Sequence, residues 1–416
     1  MSAPTRQQKK ALKEILRRVK DGVRYTCLRG YAGTGKTFLM RRLVDELDLL
    51  GIKVAACAPT HKAARVLGDQ LAGNDVRAQT IHSFLGLRLK PDGRGSYRLE
   101  PEPGHEMPEV AVVIVDEASM IGLEEWTHIE QAWGQQFIFV GDPAQLPPVN
   151  EGSSPVFELE GPCLEDVVRQ ARDNPIITLA TQLRSEVEVR YESAFDGRHG
   201  VGVTRNRQAF LDSAMRAFKD ERFHDDANHA RILAYRNRTV RDYNRYIRGQ
   251  LFPDANARFV EDEWLVARET WYDGEMPIII NSEEVRVIDA VEDEAQNARG
   301  ESWRVWKLTV DSVGFREWRE IEVLHETELG RFERELSKIK RDAIRGEGDW
   351  REFYELRERF ADVDYAYAST IHKAQGSTYH TAFVDVRDAH ACRGSEKRAL
   401  LYVAVTRPSE RLALLT

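Results

Sequence analysis

The chain has 416 residues and a mass of 47.7 kDa, with 60 Lys and Arg against 68 Asp and Glu and a formal net charge of −8. With 42% hydrophobic and 31% charged residues it is neither a disordered tail nor a low-complexity scaffold, and its length suits two to four domains of roughly 150 residues. No apolar run approaches the roughly 20 residues of a membrane span, and Met1-Ser2-Ala3-Pro4-Thr5-Arg6 lacks a signal peptide's apolar core, so a soluble cytoplasmic protein with no membrane partner is expected.

Residues 24–29 read as a strand entering Gly30-Tyr31-Ala32-Gly33-Thr34-Gly35-Lys36-Thr37, which fits G-x-x-x-x-G-K-[ST] at every position. In such a loop Gly30, Gly33, Thr34 and Gly35 let backbone N–H groups turn inward as an anion nest, and the helix that follows adds its positive end. Lys36 supplies a point charge near the β/γ-phosphates and Thr37 a hydroxyl for Mg²⁺. The helix carries Leu39, Leu43, Leu47 and Leu50 on one stripe and stops at Gly51. Residues 52–57 form the next strand, and Thr60 is placed to N-cap a helix through Ala64 and Leu67.

Between Phe84 and Glu109 this alternation gives way to a hairpin pattern, residues 87–90 and 97–99 flanking a turn-rich loop. Residues 110–115 are an apolar strand ending in Asp116-Glu117, and residues 137–140 another ending in Gly141-Asp142. Asp116 suits Mg²⁺ held through water, and Glu117 suits a base for the water attacking a γ-phosphate. Continuous apolar strands alternating with helices specify a doubly wound parallel sheet, with chemistry at the strand C-terminal ends.

A second α/β set begins near Leu164, includes residues 231–235, and resumes with residues 365–368, 382–386 and 412–415; it has no phosphate loop of its own. Residues 251–362 differ: Trp264, Trp271, Trp303, Trp306 and Trp318 stand among strand-like runs, suggesting an inserted β-barrel. Helical spacing follows over 326–345, then a break at Gly346-Glu347-Gly348 and a second helix with Phe353, Leu356 and Phe360. Cys27, Cys57, Cys163 and Cys392 lack C-x-x-C spacing, so reduced thiols are expected. Charge is segregated: residues 230–250 hold six Arg against one Asp, whereas residues 100–130 hold nine acidic residues and no Lys or Arg. Such segregation builds basic channels in acidic proteins.

Gln8 in TRQQKKAL, then GYAGTGKT, APTHKAARVL, QTIHSFLG, VVIVDEASM, FVGDPAQLPPV, LEDVVRQ, STIHKAQGST and LLYVAVTRPSERL follow one another in an order that resembles superfamily one DNA helicases of the 5′→3′ branch, RecD-like and nearest the phage Dda-like group. The resemblance implies two RecA-like doubly wound domains, 1–83 with 110–163 and 164–250 with 363–416. A β-hairpin pin (84–109) is inserted in the first, and an SH3-like β-barrel with a helical extension (251–362) in the second. It implies ATP and Mg²⁺ as cofactors and single-stranded and forked duplex DNA as partners, besides replication or single-strand-binding proteins, and a monomer. Gln8 would meet adenine, Gln145 the γ-phosphate from the first domain, and Arg169 and Arg407 the same phosphate from the second; Gly376 joins the nucleotide contacts. Arg184 competes with Arg169 for its place.

Nucleic-acid contacts fall to Thr60, His61, Lys62, Thr80, His82, Thr370, His372 and Lys373, since hydroxyls and amides grip phosphates without reading bases. His61 offers a stacking face, with a satisfied core histidine as the alternative. Tyr97 in the pin either stacks on the base at the junction or packs the hairpin. Three other readings stay open: a kinase-type phosphate-loop switch indifferent to nucleic acid, a non-enzymatic single-strand binder, and an RNA translocase, because none of these motifs reads a 2′-OH.

Overall fold

The computed structural model describes residues 3–416 apart from Asp75, 169–172, 186–188, 254–255, 275, 297–299, 313–317 and 395. Three sheets organise the chain. In the first, six parallel strands lie in the order Ala78–Thr80, Val54–Ala58, Val112–Val115, Gln136–Gly141, Tyr25–Gly30 and Cys163–Leu164. Their apolar runs are buried on both faces. Leu28, Ile114 and Ile138 pack with Ile15, Leu39 and Leu43 of two helices, while Cys27, Val113 and Phe137 pack with Phe84 and Ile129 on the other side. Leu50 does not join the expected stripe; it caps helix Lys36–Leu49 and is 48% exposed, and Met40 and Val44 fill that face instead.

The second sheet runs Ala368–Thr370, Ala230–Ala234, Tyr379–Asp385, Pro408–Leu415, Gly200–Thr204 and Ala194–Phe195, with only the last strand antiparallel. Both sheets thus have the doubly wound layering that the alternation implies, and the RecA-like form that the resemblance implies. Two boundaries move. Leu164, expected to open the second domain, pairs with Gly30 as the sixth strand of the first sheet. The expected strand over 365–368 is divided: Val363–Tyr365 pairs antiparallel with Trp264–Ala267 in the third sheet, and Ala368–Thr370 alone joins the second. The apolar run Tyr365-Ala366-Tyr367-Ala368 spans both pieces, so periodicity alone does not show the break.

That third sheet orders Arg319–Leu324, Ser302–Ser312, Glu284–Gln296, Trp264–Ala267 and Val363–Tyr365, all antiparallel. Ala361 N donates to Glu322 O at 2.8 Å, joining the outermost strands so that the sheet curls round Leu265, Trp306, Leu308 and Ile321. A short hairpin, Trp271–Asp273 with Met276–Ile279, stands beside it. The two helices, Leu329–Arg345 and Trp350–Arg357, meet at a left-handed Gly346 and pack on Trp303. The pin pairs Leu87–Pro91 with Tyr97–Pro101. Among the described residues no helix is long and apolar enough to cross a membrane.

Candidate active site and nucleic-acid interface

The phosphate loop leaves the strand Tyr25–Gly30, and Lys36 opens the helix that follows. Lys36 Nζ donates to Gly30 O (2.7 Å) and Tyr31 O (3.3 Å) and lies 3.7 Å from Asp142 Oδ2. Gly35 is required twice over: its φ is +81°, and a Cβ there would come within 2.5 Å of Gln8 Nε2. Gln8 itself is spoken for at both ends, since Oε1 accepts from Thr5 N and Nε2 donates to Thr34 O, so this amide anchors the loop from the helix N-terminus. Its second N–H and second lone pair remain for the adenine contact expected of it.

Asp116 and Glu117 follow the strand Val112–Val115 directly. Burial and then the neighbouring Glu117 raise the Asp116 carboxyl, and Lys36 draws it partway back. Glu117 takes φ 49°, a left-handed conformation that costs a non-glycine residue about 1–3 kcal/mol and is kept where a side chain must be aimed. Asp116 and Thr37 are hard oxygen donors of the type Mg²⁺ takes when it also binds substrate phosphates and water, so the donor set fits the ion.

The second domain closes over this site with Gln375 and Tyr402, which the sequence reading did not single out. Gln375 Nε2 lies 3.2 Å from Ser119 Oγ, 3.4 Å from Gln145 Oε1 and 3.3 Å from Leu146 O, all in the first domain. Tyr402 OH donates to Asp142 Oδ2 (2.6 Å) and accepts from Ala32 N of the phosphate loop (2.8 Å). Burial and the Asp142 charge raise this phenol far above its ordinary value, so it keeps its proton. Arg184, at the end of helix Pro175–Arg184, stacks 3.8 Å from the Tyr31 ring centroid. Asp142, Gln375 and Tyr402 all sit inside the motifs FVGDPAQLPPV, STIHKAQGST and LLYVAVTRPSERL, the signal that could have found them.

Arg407 is buried, and its guanidinium donates to Val403 O, Ser377 O and Thr406 Oγ1. Gln145 is buried at the seam. Arg169 lies outside the described residues. Gly376, expected among the nucleotide contacts, packs with φ +73° against the first domain, where a Cβ would be 3.2 Å from Ala63 Cβ and 3.8 Å from Thr60 Oγ1.

Three threonines are placed alike. Thr60, Thr80 and Thr370 follow or end parallel strands, and each Oγ1 accepts from the backbone N–H three residues on, at Ala63, Ser83 and Lys373. One lone pair is used, and among the described residues no acceptor takes the hydroxyl proton, which is what a phosphate oxygen needs. A cavity of about 1640 Å³ is lined by Thr60, His61, Thr80 and His82, by Leu89 and Tyr97 of the pin, and by Trp271 and Tyr272 of the barrel hairpin. His82 Nε2 is 3.4 Å from Glu125 Oε1. Thr370, His372 and Lys373 lie outside that lining; His372 Nε2 is 3.1 Å from Glu396 Oε1.

Two expected contacts are committed elsewhere. Lys62 forms an ion pair with the buried Glu284 of the barrel, which also accepts from Arg231 Nη2 at 3.1 Å, so its ammonium is not presented to a phosphate. Tyr97 packs edge-on to Tyr354 (centroids 5.3 Å), hydrogen-bonds Glu358 and lies under Arg357, the packing alternative for this residue.

A model of the AAA domain matches residues 3–199, and one of the UvrD-like helicase C-terminal domain matches residues 365–415. The ATP-dependent DNA helicase Dda of Enterobacteria phage T4 is 30% identical over 434 residues, covering 97% of each chain. The ATP-dependent RecD2 DNA helicase of Deinococcus radiodurans is 37% identical over 187 residues, 43% of this chain and 24% of its own. In fold, the chain is similar to Bacteroides Pif1 bound to ssDNA, with TM-score 0.50 at 16% identity, covering 100% of this chain and 93% of that one. A forked-DNA complex of two coordinating Pif1 helicases gives 0.54 at 16% identity, with 100% and 92% covered.

Proposed function

The chain belongs to the Pif1/RecD-like superfamily one helicases, and from that premise we propose that it is an ATP-dependent DNA helicase moving 5′→3′ along single-stranded DNA and separating the duplex ahead. The observation that carries this reading is the seam itself: the second domain inserts Tyr402 and Gln375 into hydrogen bonds around the first domain's phosphate loop and Gln145. A hydrolysis site shared this way makes the spacing of two domains depend on the γ-phosphate. Threonine loops on both domains then grip or release backbone phosphates without reading bases.

In the chemical step Lys36 and the loop N–H groups hold the phosphates, Glu117 takes the proton of the attacking water, and Gln145 orients that water or the γ-phosphate. Arg407, and Arg169 with it, stabilises charge that develops on the γ-phosphate oxygens. Thr37 and Asp116 would hold Mg²⁺, which would supply charge neutralisation on the phosphate oxygens. Replication, recombination or repair is the proposed setting, with the motor acting as a monomer.

Steady-state ATP hydrolysis is expected to rise with oligo-dT and to respond far less to duplex DNA. Turnover indifferent to any polynucleotide would leave the kinase-type switch, and stimulation by oligo-U alone the RNA translocase. On forked DNA, unwinding is expected with a 5′ single-stranded tail; unwinding confined to 3′-tailed substrates would reverse the polarity.

A further inference from the structure

Helix Glu396–Val405 touches both halves of the motor. At its first residue, Glu396 holds His372, a side chain of the loop that follows the strand Ala368–Thr370. Six residues on, Tyr402 is 2% exposed, with its ring in a core that the second domain shares with Leu146 of the first and its hydroxyl reaching Ala32 and Asp142. Two residues beyond the helix stands Arg407. At about 1.5 Å per residue the two contacts are separated by about 9 Å of rigid helix.

The Tyr402 hydroxyl is fully occupied. Its one proton goes to Asp142 Oδ2, and its lone pair accepts Ala32 N–H, a donor of the phosphate loop. Asp142 is itself fixed by Ala144 N at 3.0 Å and stands 3.7 Å from Lys36 Nζ. An N–H of the nest and the lysine ammonium are the groups that change partners when a phosphate enters a loop of this kind. Tyr402 is bonded to the first and, through Asp142, adjacent to the second. No other second-domain side chain among the described residues hydrogen-bonds the backbone of residues 30–36.

We propose that Tyr402 is a positioning residue that couples the phosphate loop to the nucleic-acid side of the second domain, with helix Glu396–Val405 as the connecting rod. A change of partner at Ala32 or Lys36 moves the Tyr402 hydroxyl; the helix, packed in the second domain's core through Leu400, Leu401 and Val403, carries that movement to Glu396 and His372. This rests on the helicase reading, because it presumes that nucleotide and DNA bind the same chain.

The test is a linkage measurement on the full chain with mant-ADP and a fluorescent oligo-dT. In the unsubstituted protein, oligo-dT should change the mant-ADP dissociation constant by a factor of about 5–150, and mant-ADP should change the oligo-dT constant by the same factor. In Tyr402→Phe, which removes one oxygen and keeps the ring, both ligands should still bind, but that factor should fall to within about twofold of one. A purely structural defect would instead weaken both affinities and lower the melting temperature. Should the substituted chain fail to fold, Asp142→Asn weakens the same link from the first domain, because a neutral acceptor makes a hydrogen bond about half as strong, and it should lower the factor too. Coupling retained in the variants, or a factor of one in the unsubstituted chain, overturns the role of Tyr402. An unsubstituted chain that binds neither ligand overturns the helicase reading instead.

Discussion

Replacing Arg407 with alanine is expected to lower kcat for DNA-stimulated ATP hydrolysis by about 10³-fold or more, with a much smaller change in nucleotide affinity. The guanidinium is buried and fastened only to neutral acceptors, two carbonyls and a hydroxyl, and among the described residues no carboxylate pairs with it. A buried positive charge without a counter-ion is unfavourable for stability, so its retention points to a negative charge that develops during turnover. The same argument predicts that Arg407→Ala melts no lower than the unsubstituted protein, which separates a catalytic role from a structural one. Lysine should not restore turnover, because it lacks the planar fork that meets two phosphate oxygens at once. Steady-state kinetics with oligo-dT and mant-ADP titration give both quantities; kcat within about tenfold of the unsubstituted chain would remove Arg407 from the chemistry.

Much of the nucleotide half was legible because its signals are local. The strand over 112–115 is four consecutive buried apolar residues, and a parallel sheet puts whatever follows such a strand at the cleft; hence Asp116 and Glu117. The phosphate loop likewise states its own conformation in its glycines. What escaped depends on how distant segments dock. Tyr402 lies in an apolar stretch that reads as core, and its ring is indeed core; only the facing Ala32 and Asp142 give its hydroxyl a task. Gln375 and Gly376 are neighbours in sequence, yet the turn sends one to Gln145 and the other to Thr60. Tyr97 has the alternation of a hairpin residue, but Tyr354 and Glu358, far along the chain, decide which way it is used.

Lys62 is the clearest case, and it carries the second large expected effect. In the sequence it stands beside Thr60 and His61 in a phosphate-gripping pattern, but the barrel delivers Glu284 to it, and the second sheet delivers Arg231 to the same carboxylate. Both cations also face the ring of Tyr379, at 5.2 and 5.1 Å from its centroid. Burial pushes the Glu284 carboxyl up, but Lys62 and then Arg231 outweigh it and hold it below the usual carboxylate range. One carboxylate therefore joins first domain, second domain and barrel, and without it two cations are left to repel each other in a desolvated pocket. Glu284→Ala is expected to destabilise the chain by about 3–5 kcal/mol, as removing one partner of a buried pair does. Lys62→Ala should cost less, because the Arg231–Glu284 pair survives. The pH sign follows from the depressed pKa. The contribution is complete above the ordinary glutamate value of about 4.3 and is lost as pH falls through the lower folded value, so Glu284→Ala and the unsubstituted protein should converge in stability on acidification. Denaturation of both chains at neutral and acid pH measures this. A salt titration of oligo-dT binding decides the other half: each lost phosphate contact lowers the slope of log affinity against log salt by about 0.7, whereas Lys62→Ala should leave it unchanged. A reduced slope would mean that Lys62 leaves Glu284 for the strand, and that the three-domain ion pair opens whenever DNA is bound.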